Sequence, residues 1–244
     1  MIGRFKHCDD TFYGEVTGTR VTAKGDCGGK VFDLSELEVL TPTNPSKIIC
    51  AGLNYHDHAK ELNMQIPDEP LIFMKPPSAV IGHGGKIIYP KASQQVDYEA
   101  ELAVVIGKRC RNITADRAND VIAGYTCFND VTARDFQRQD GQWTRAKSFD
   151  TFAPFGPYIV SSEEFNSENA SIKSRVNGEL RQDSNTSNLI FDIPTLIEFI
   201  SAIMTLELGD IIATGTPAGV GELHRGDVVE VEIEGIGILR NEVV

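Results

Sequence analysis

Positive charge is the scarcer sign in this chain. Lysine and arginine total 23 against 35 aspartates and glutamates, a formal net charge of −12. That balance argues against non-specific nucleic-acid binding and against attraction to an anionic membrane surface. It leaves small anionic substrates open, because a pocket can oppose the global sign. Cysteine is sparse: Cys8, Cys27, Cys50, Cys110 and Cys127 are scattered without a C-x-x-C pair. Zinc-ribbon and thioredoxin-type sites fall away, and reduced thiols in a cytoplasmic protein are expected. No apolar run approaches a membrane span, and Met1 to His7 lacks the apolar core of a signal peptide. There are no internal repeats, no low-complexity tracts and no G-x-S-x-G elbow. Gly219-Val220-Gly221 lacks the third glycine and the following helix of a dinucleotide site, so NAD binding is rejected. The expectation is a soluble protein, with 244 residues enough for one large domain and a small appendage.

What is present centres on Asp97-Tyr98-Glu99-Ala100-Glu101, which leads into Leu102-Ala103-Val104-Val105-Ile106. The apolar half reads as a strand buried on both faces. Alternate side chains of a strand share a face, so Asp97, Glu99 and Glu101 should point the same way. Three like charges there are costly to desolvate. Either they line a solvated edge, or a hard divalent cation such as Mg²⁺ or Ca²⁺ sits among them.

Residues 1 to about 40 carry short alternating pieces between glycines and read as a small β unit, a packing or dimer-contact appendage. Leu40 to Pro45 reads as a linker. Ile48 to Gly52 is an expected strand running into a helix on which His58 and Glu61 share a face at i, i+3, with His56 pointing elsewhere. Such a pair can activate water or decorate a surface. Lys75 ends a further apolar strand, as a snorkelling lysine or a pocket cation. Thr114 to Ala123 reads as a short helix capped by Thr114, with Ala115, Ala118, Val121 and Ile122 inward. Asp130 follows a strand over Tyr125 to Phe128, and Arg134 and Gln137 sit at i, i+3 beyond it. Asn177-Gly178 marks a hairpin. Asp192 should cap a helix from Ile193 to Leu206, with Ile193, Leu196, Ile197, Ile200 and Ile203 buried. Val228 to Ile233 reads as a strand that Gly235-Ile236-Gly237 turns into a closing one.

Taken in order, several segments resemble the fumarylacetoacetate hydrolase family. They are Gly52-Leu53-Asn54-Tyr55-x-x-His58-x-x-Glu61, Phe73-Met74-Lys75-Pro76, Glu99-x-Glu101 and Asp130-x-Thr132-Ala133-Arg134-Asp135. Lys147-Ser148-Phe149-Asp150 and Thr214-Gly215-Thr216-Pro217-x-Gly219 complete the set. The resemblance implies a mixed α+β, β-rich fold: a β-roll catalytic domain over residues 44–244 behind a small N-terminal β domain over 1–43, usually as a homodimer. It implies Glu99, Glu101 and Asp130 as ligands of Mg²⁺ or Mn²⁺, with Asp97 hydrogen-bonding behind them. It further implies Lys147 as the active-site lysine and His58 and Glu61 as the dyad that activates water. Lys75, Arg134, Gln137 and Thr216 would contact the carboxylate or oxo groups of a small 2-oxo acid.

An enolate next to a 2-oxo group serves three reactions. Hydroxide from the His58–Glu61 pair would cleave the C3–C4 bond of an acylpyruvate. Loss of CO₂ from oxaloacetate needs no water, and reprotonation alone makes a tautomerase or isomerase. Arg138 to Trp143 is similar to members acting on hydroxymuconate-type diacids, whereas the dyad favours C–C bond hydrolysis of a 2,4-dioxo acid, the expected reaction. A metal- or anion-binding scaffold without turnover is the reading from another class.

Overall fold

The computed structural model describes residues 1–244, except for the side chain of Asp26. Five short strands come first: β1 (Ile2–His7), β2 (Asp10–Thr17), β3 (Arg20–Ala23), β4 (Val31–Asp33) and β5 (Glu38–Leu40). Their alternating residues Phe5, Phe12, Val16, Val21 and Ala23 close a small apolar cluster of their own. Beyond them lie β6 (Ile48–Gly52), helix α1 (His56–Glu61), β7 (Leu71–Lys75), β8 (Val80–Ile81), β9 (Lys86–Ile87), β10 (Val96–Tyr98) and β11 (Ala100–Ile106). The chain continues through β12 (Ile122–Asn129), β13 (Thr132–Ala133), α2 (Arg134–Asp140), α3 (Thr144–Lys147), β14 (Ala153–Val160), β15 (Ser171–Val176) and β16 (Glu179–Asn185). It ends with α4 (Ile193–Ile203), β17 (Ile211–Ala213), β18 (Gly221–Leu223), β19 (Val228–Ile233) and β20 (Gly237–Val243). None of the described helices is long and apolar enough to cross a membrane.

The strands form three sheets. The largest runs β4-β3-β2-β1-β14-β12-β11-β17-β6-β7, so β1 joins the first strands to the body along β14. A second sheet runs β16-β15-β19-β20-β9, and a third, of three strands, runs β13-β10-β18. As expected, β11 is buried on both faces. Leu102, Val104 and Ile106 pack with α4 and the second sheet, while Ala103 and Val105 pack with Ile48, Phe128 and Phe155. The Asn177-Gly178 hairpin forms as expected, both residues having left-handed φ values of 54° and 82°.

The structure corrects three local expectations. The carboxylate stretch is not one strand: Glu99 lies in neither β10 nor β11, and there the chain passes from the third sheet to the first. The segment after Thr114 is a 3₁₀ helix, Ala115–Val121, with no cap from Thr114. Instead, Glu198 of α4 accepts from Ala115 N at 3.3 Å, a tertiary bond that local pattern does not announce. Asp192 does cap α4 through Thr195 N, but the helix stops at Ile203, which is half exposed rather than buried.

Asp210 holds the parallel pair of β6 and β17 in register. Its buried carboxylate accepts from Ser46 N (3.0 Å), Ser46 Oγ (2.7 Å), Lys47 N (3.2 Å) and Glu207 N (2.8 Å), and pairs with Lys47. Burial opposes its ionisation, but the Lys47 ammonium and these donors outweigh burial and hold the carboxyl below its usual range. A depressed carboxyl stabilises the fold above its unfolded value of about 3.9 and loses that contribution as pH falls through the folded value. Asp210→Asn should therefore cost roughly 2 kcal/mol at neutral pH, and less near pH 3. Urea denaturation at both pH values checks this; an equal cost at both would reject the ionised role.

Candidate active site and metal centre

The break at Glu99 is what assembles the site. Glu99 N donates to Asn129 Oδ1 at 3.0 Å, and Glu99 O accepts from Asp130 N at 2.9 Å. This latches the turn between two sheets to the end of β12. Glu101, two residues on, lies in β11 opposite Phe128. One carboxylate oxygen from each of Glu99, Glu101 and Asp130 lies within 4.8 Å of the other two, and all three residues are buried.

Three cations meet this cluster. Lys147, at the end of α3, donates to Glu99 Oε2 at 2.9 Å and to Asp130 Oδ2 at 2.6 Å. Arg134 opens α2 and spends its guanidinium on Asp97 (2.8 Å), Glu99 (2.5 Å) and the Gln137 side-chain oxygen (2.5 Å). Lys75 pairs with Asp130 and donates to Val131 O at 2.9 Å. Lys75 was expected among the substrate contacts, but it is sealed behind Asp130 and does not line the cavity. A lysine ending an edge strand can turn inward when a buried carboxylate awaits it, and the strand pattern alone cannot tell which way it turns.

With Asp97 included, four carboxylates face three cations, and the imbalance falls on Glu101. Its only hydrogen-bond donor among the described residues is Gly215 N, at 2.8 Å. Burial first, then the charges of Asp130 and Glu99, push its carboxyl well above the usual range. Glu99 goes the other way: burial opposes ionisation, but Lys147 and Arg134 outweigh it and hold the group at about 2. The same carboxylates keep Lys147 firmly charged against the cost of burial. A hard divalent cation fits this donor set, because oxygen ligands suit it and its charge answers the excess at Glu101.

A cavity of about 420 Å³ opens onto the cluster. Leu62, Met64, Leu71, Phe73 and Trp143 give it an apolar wall, while His58, Gln137, Arg138 and Thr216 add polar groups. Trp143 packs edge-on against Phe73, ring centres 5.2 Å apart. It can do so because position 52 is glycine: a Cβ there would come within 2.8 Å of the indole. Leu53, also on the wall, has a φ of 48°, a left-handed conformation that costs a non-glycine residue about 1 kcal/mol.

His58 and Glu61 meet as their spacing on α1 requires, Nδ1 to Oε2 at 3.0 Å, and His56 is exposed. The other Glu61 oxygen accepts from Gly219 N at 3.1 Å. Asp57 anchors the same helix through Ser184 Oγ at 2.5 Å. Thr216 is oriented by Gln182, a residue no local signal marks. Gln182 Oε1 accepts from Ala100 N at 3.0 Å, which fixes its amide; its Nε2 then donates to Thr216 Oγ1 at 2.8 Å. The Thr216 hydroxyl in turn donates to Ala100 O at 2.9 Å, so toward the cavity it can only accept.

Glu101→Gln tests the reading of the cluster. Metal affinity measured by calorimetry should fall on the order of 100-fold. In EDTA at neutral pH the same variant should melt higher than wild type, because folding no longer has to protonate this carboxyl or hold it charged without a partner. Unchanged Mg²⁺ and Mn²⁺ affinity would sink the assignment.

Comparisons with known proteins give the family and the fold. The signature described as Fumarylacetoacetate (FAA) hydrolase C-terminal matches residues 47–244. Oxaloacetate tautomerase FAHD2B of Bos taurus is 47% identical over 225 residues, 88% of this chain and 72% of that one. A 5-carboxymethyl-2-hydroxymuconate delta-isomerase structure from Mycobacterium smegmatis superposes with a TM-score of 0.92 at 44% identity, covering 100% and 98% of the two chains. The maleylpyruvate hydrolase of Sphingobium sp. SYK-6, solved with manganese(II) and pyruvate, is 31% identical with a TM-score of 0.85, covering 99% and 98%. Sequence signature, relatives and fold converge, and the chain belongs to the fumarylacetoacetate hydrolase family.

Proposed function

We propose that this protein is a divalent-metal-dependent enzyme that interconverts the enol and keto forms of a small 2-oxo acid. The carrying observation is the His58–Glu61 contact at the cavity. A carboxylate on Nδ1 holds the proton on that nitrogen, which leaves Nε2 as a base available to a ligand. Glu61 also stabilises the imidazolium once Nε2 has taken a proton, and Gly219 N keeps Glu61 in place.

In the enol-forming direction, Nε2 accepts a proton from C3, the electron pair of that C–H bond becomes the C2–C3 double bond, the carbonyl π pair moves onto the 2-oxo oxygen, which takes a proton from solvent, and the imidazolium returns its own proton to solvent. A divalent cation held by Glu99, Glu101 and Asp130 would supply Lewis-acid polarisation of the 2-oxo group. Lys147 keeps the Glu99 and Asp130 carboxylates facing one another. The apolar wall of Phe73 and Trp143 limits water at the reacting carbon. Support also comes from two relatives, named a tautomerase and an isomerase, that are 47% and 44% identical.

Hydrolysis of the C3–C4 bond of a 2,4-dioxo acid is the second reading, because the same dyad can take a proton from water instead of carbon. Proton NMR in D₂O with Mg²⁺, with an EDTA control, separates the two. Accelerated deuterium uptake at C3 of oxaloacetate is the expected outcome. Acetate plus pyruvate from acetylpyruvate would instead establish the hydrolase, and rapid formation of pyruvate from oxaloacetate a decarboxylase. His58→Asn should lower kcat by about 10²–10⁴-fold while leaving metal affinity intact. Full activity in that variant would remove His58 as the proton carrier.

A further inference from the structure

The dyad depends on a carboxylate that little else holds. The Glu61 side chain is 42% exposed, and among the described residues only His58 and Gly219 N meet it. A glutamate that free samples several rotamers unless something beyond its own helix fixes it. Gly219 N supplies its one backbone anchor, so the aim of that N–H decides where Glu61 stands.

Gly219 cannot set that aim by itself. Its φ is 95°, and a Cβ there would lie 2.4 Å from Arg181 O, so the position admits only glycine. Glycine is also the residue whose backbone turns most freely. Two bonds restrain it from outside. Gln182 Nε2 donates to Pro217 O at 2.9 Å, upstream of the Gly219 N–H. Tyr98 OH donates to Gly219 O, also at 2.9 Å, downstream of it. A buried phenol needs an acceptor. Tyr98, 3% exposed at the end of β10, takes the carbonyl of the same residue whose N–H holds Glu61. Its space is kept clear by Gly221, opposite it on β18, where a Cβ would come within 2.8 Å of the hydroxyl.

We infer that Tyr98 is a positioning residue of the proton-carrying dyad: its hydroxyl fixes Gly219, Gly219 N aims Glu61, and Glu61 keeps His58 in the Nδ1–H tautomer. This rests on the dyad reading above and deepens it. Tyr98 stands between Asp97 and Glu99. One stretch of chain therefore both builds the carboxylate cluster and orders the base.

The test reads the imidazole itself. Ring-nitrogen NMR shifts at alkaline pH with Mg²⁺, assigned with the help of His58→Asn, give the ratio of the Nδ1–H to the Nε2–H tautomer of His58. Tyr98→Phe should lower that ratio about three- to tenfold, as for the loss of one hydrogen bond, and lower kcat similarly, with KM and Mg²⁺ affinity within about twofold of wild type. In Glu61→Ala the preference should already be lost, and adding Tyr98→Phe should change neither ratio nor kcat further. A ratio unchanged by Tyr98→Phe, or the same drop in kcat in the Glu61→Ala background, would overturn the inference and leave the dyad standing. A parallel loss of Mg²⁺ affinity would mark general damage to β10 and overturn it as well. If Tyr98→Phe does not fold, Gly221→Ala displaces the same hydroxyl and carries the same expected and overturning outcomes. A wild-type ring without preference for Nδ1–H would overturn the inference together with the dyad reading. The expected ratios in a protein without turnover would uphold the inference and remove only the proposed reaction.

Discussion

Burying a cluster of carboxylates is the constraint to which the rest of this structure answers. Asp97, Glu99, Glu101 and Asp130 are all taken out of water, and each needs a partner within hydrogen-bond reach. The partners come from distant parts of the chain: Lys75 from β7, Arg134 from α2 and Lys147 from α3. The sheets are arranged so that these ends converge. The apolar core on both faces of β11 supplies the stability that lets the crowding at Glu101 persist.

The same electrostatics divide the labour among the cations. Those nearest the cluster are consumed in holding it together, and their charge is not available to a ligand in equal measure. The cavity also presents the apolar wall, the acceptor face of Thr216, the imidazole of His58 and Arg138.

Much of this was legible in the sequence wherever the signal is local. The β-branched run of β11, the Asn177-Gly178 turn and the Asp192 cap depend on neighbours a few residues away, and each forms as expected. So does the His58–Glu61 contact, which helix spacing alone dictates. The misses at the site are non-local. Alternation continues unbroken through Asp97, Glu99 and Glu101, while the change of sheet at Glu99 is decided by pairing with β12, β13 and β18. The inward turn of Lys75 depends on Asp130, and Gln182 sits in a polar strand with nothing to distinguish it until Ala100 and Thr216 are brought beside it.

Lys75 belongs to β7, the outermost strand of the large sheet, which pairs only with β6. An outer strand has a ladder on one side alone, so it frays with fewer broken bonds than any interior strand. Fraying of β7 would withdraw an ammonium from Asp130 and leave that carboxylate beside Glu99 and Glu101 with one cation fewer. Detachment of this margin and collapse of the cluster's charge balance are therefore a single event. A divalent cation among the same carboxylates would compete with Lys75 for Asp130, so occupancy of the cluster and docking of the sheet's border are coupled.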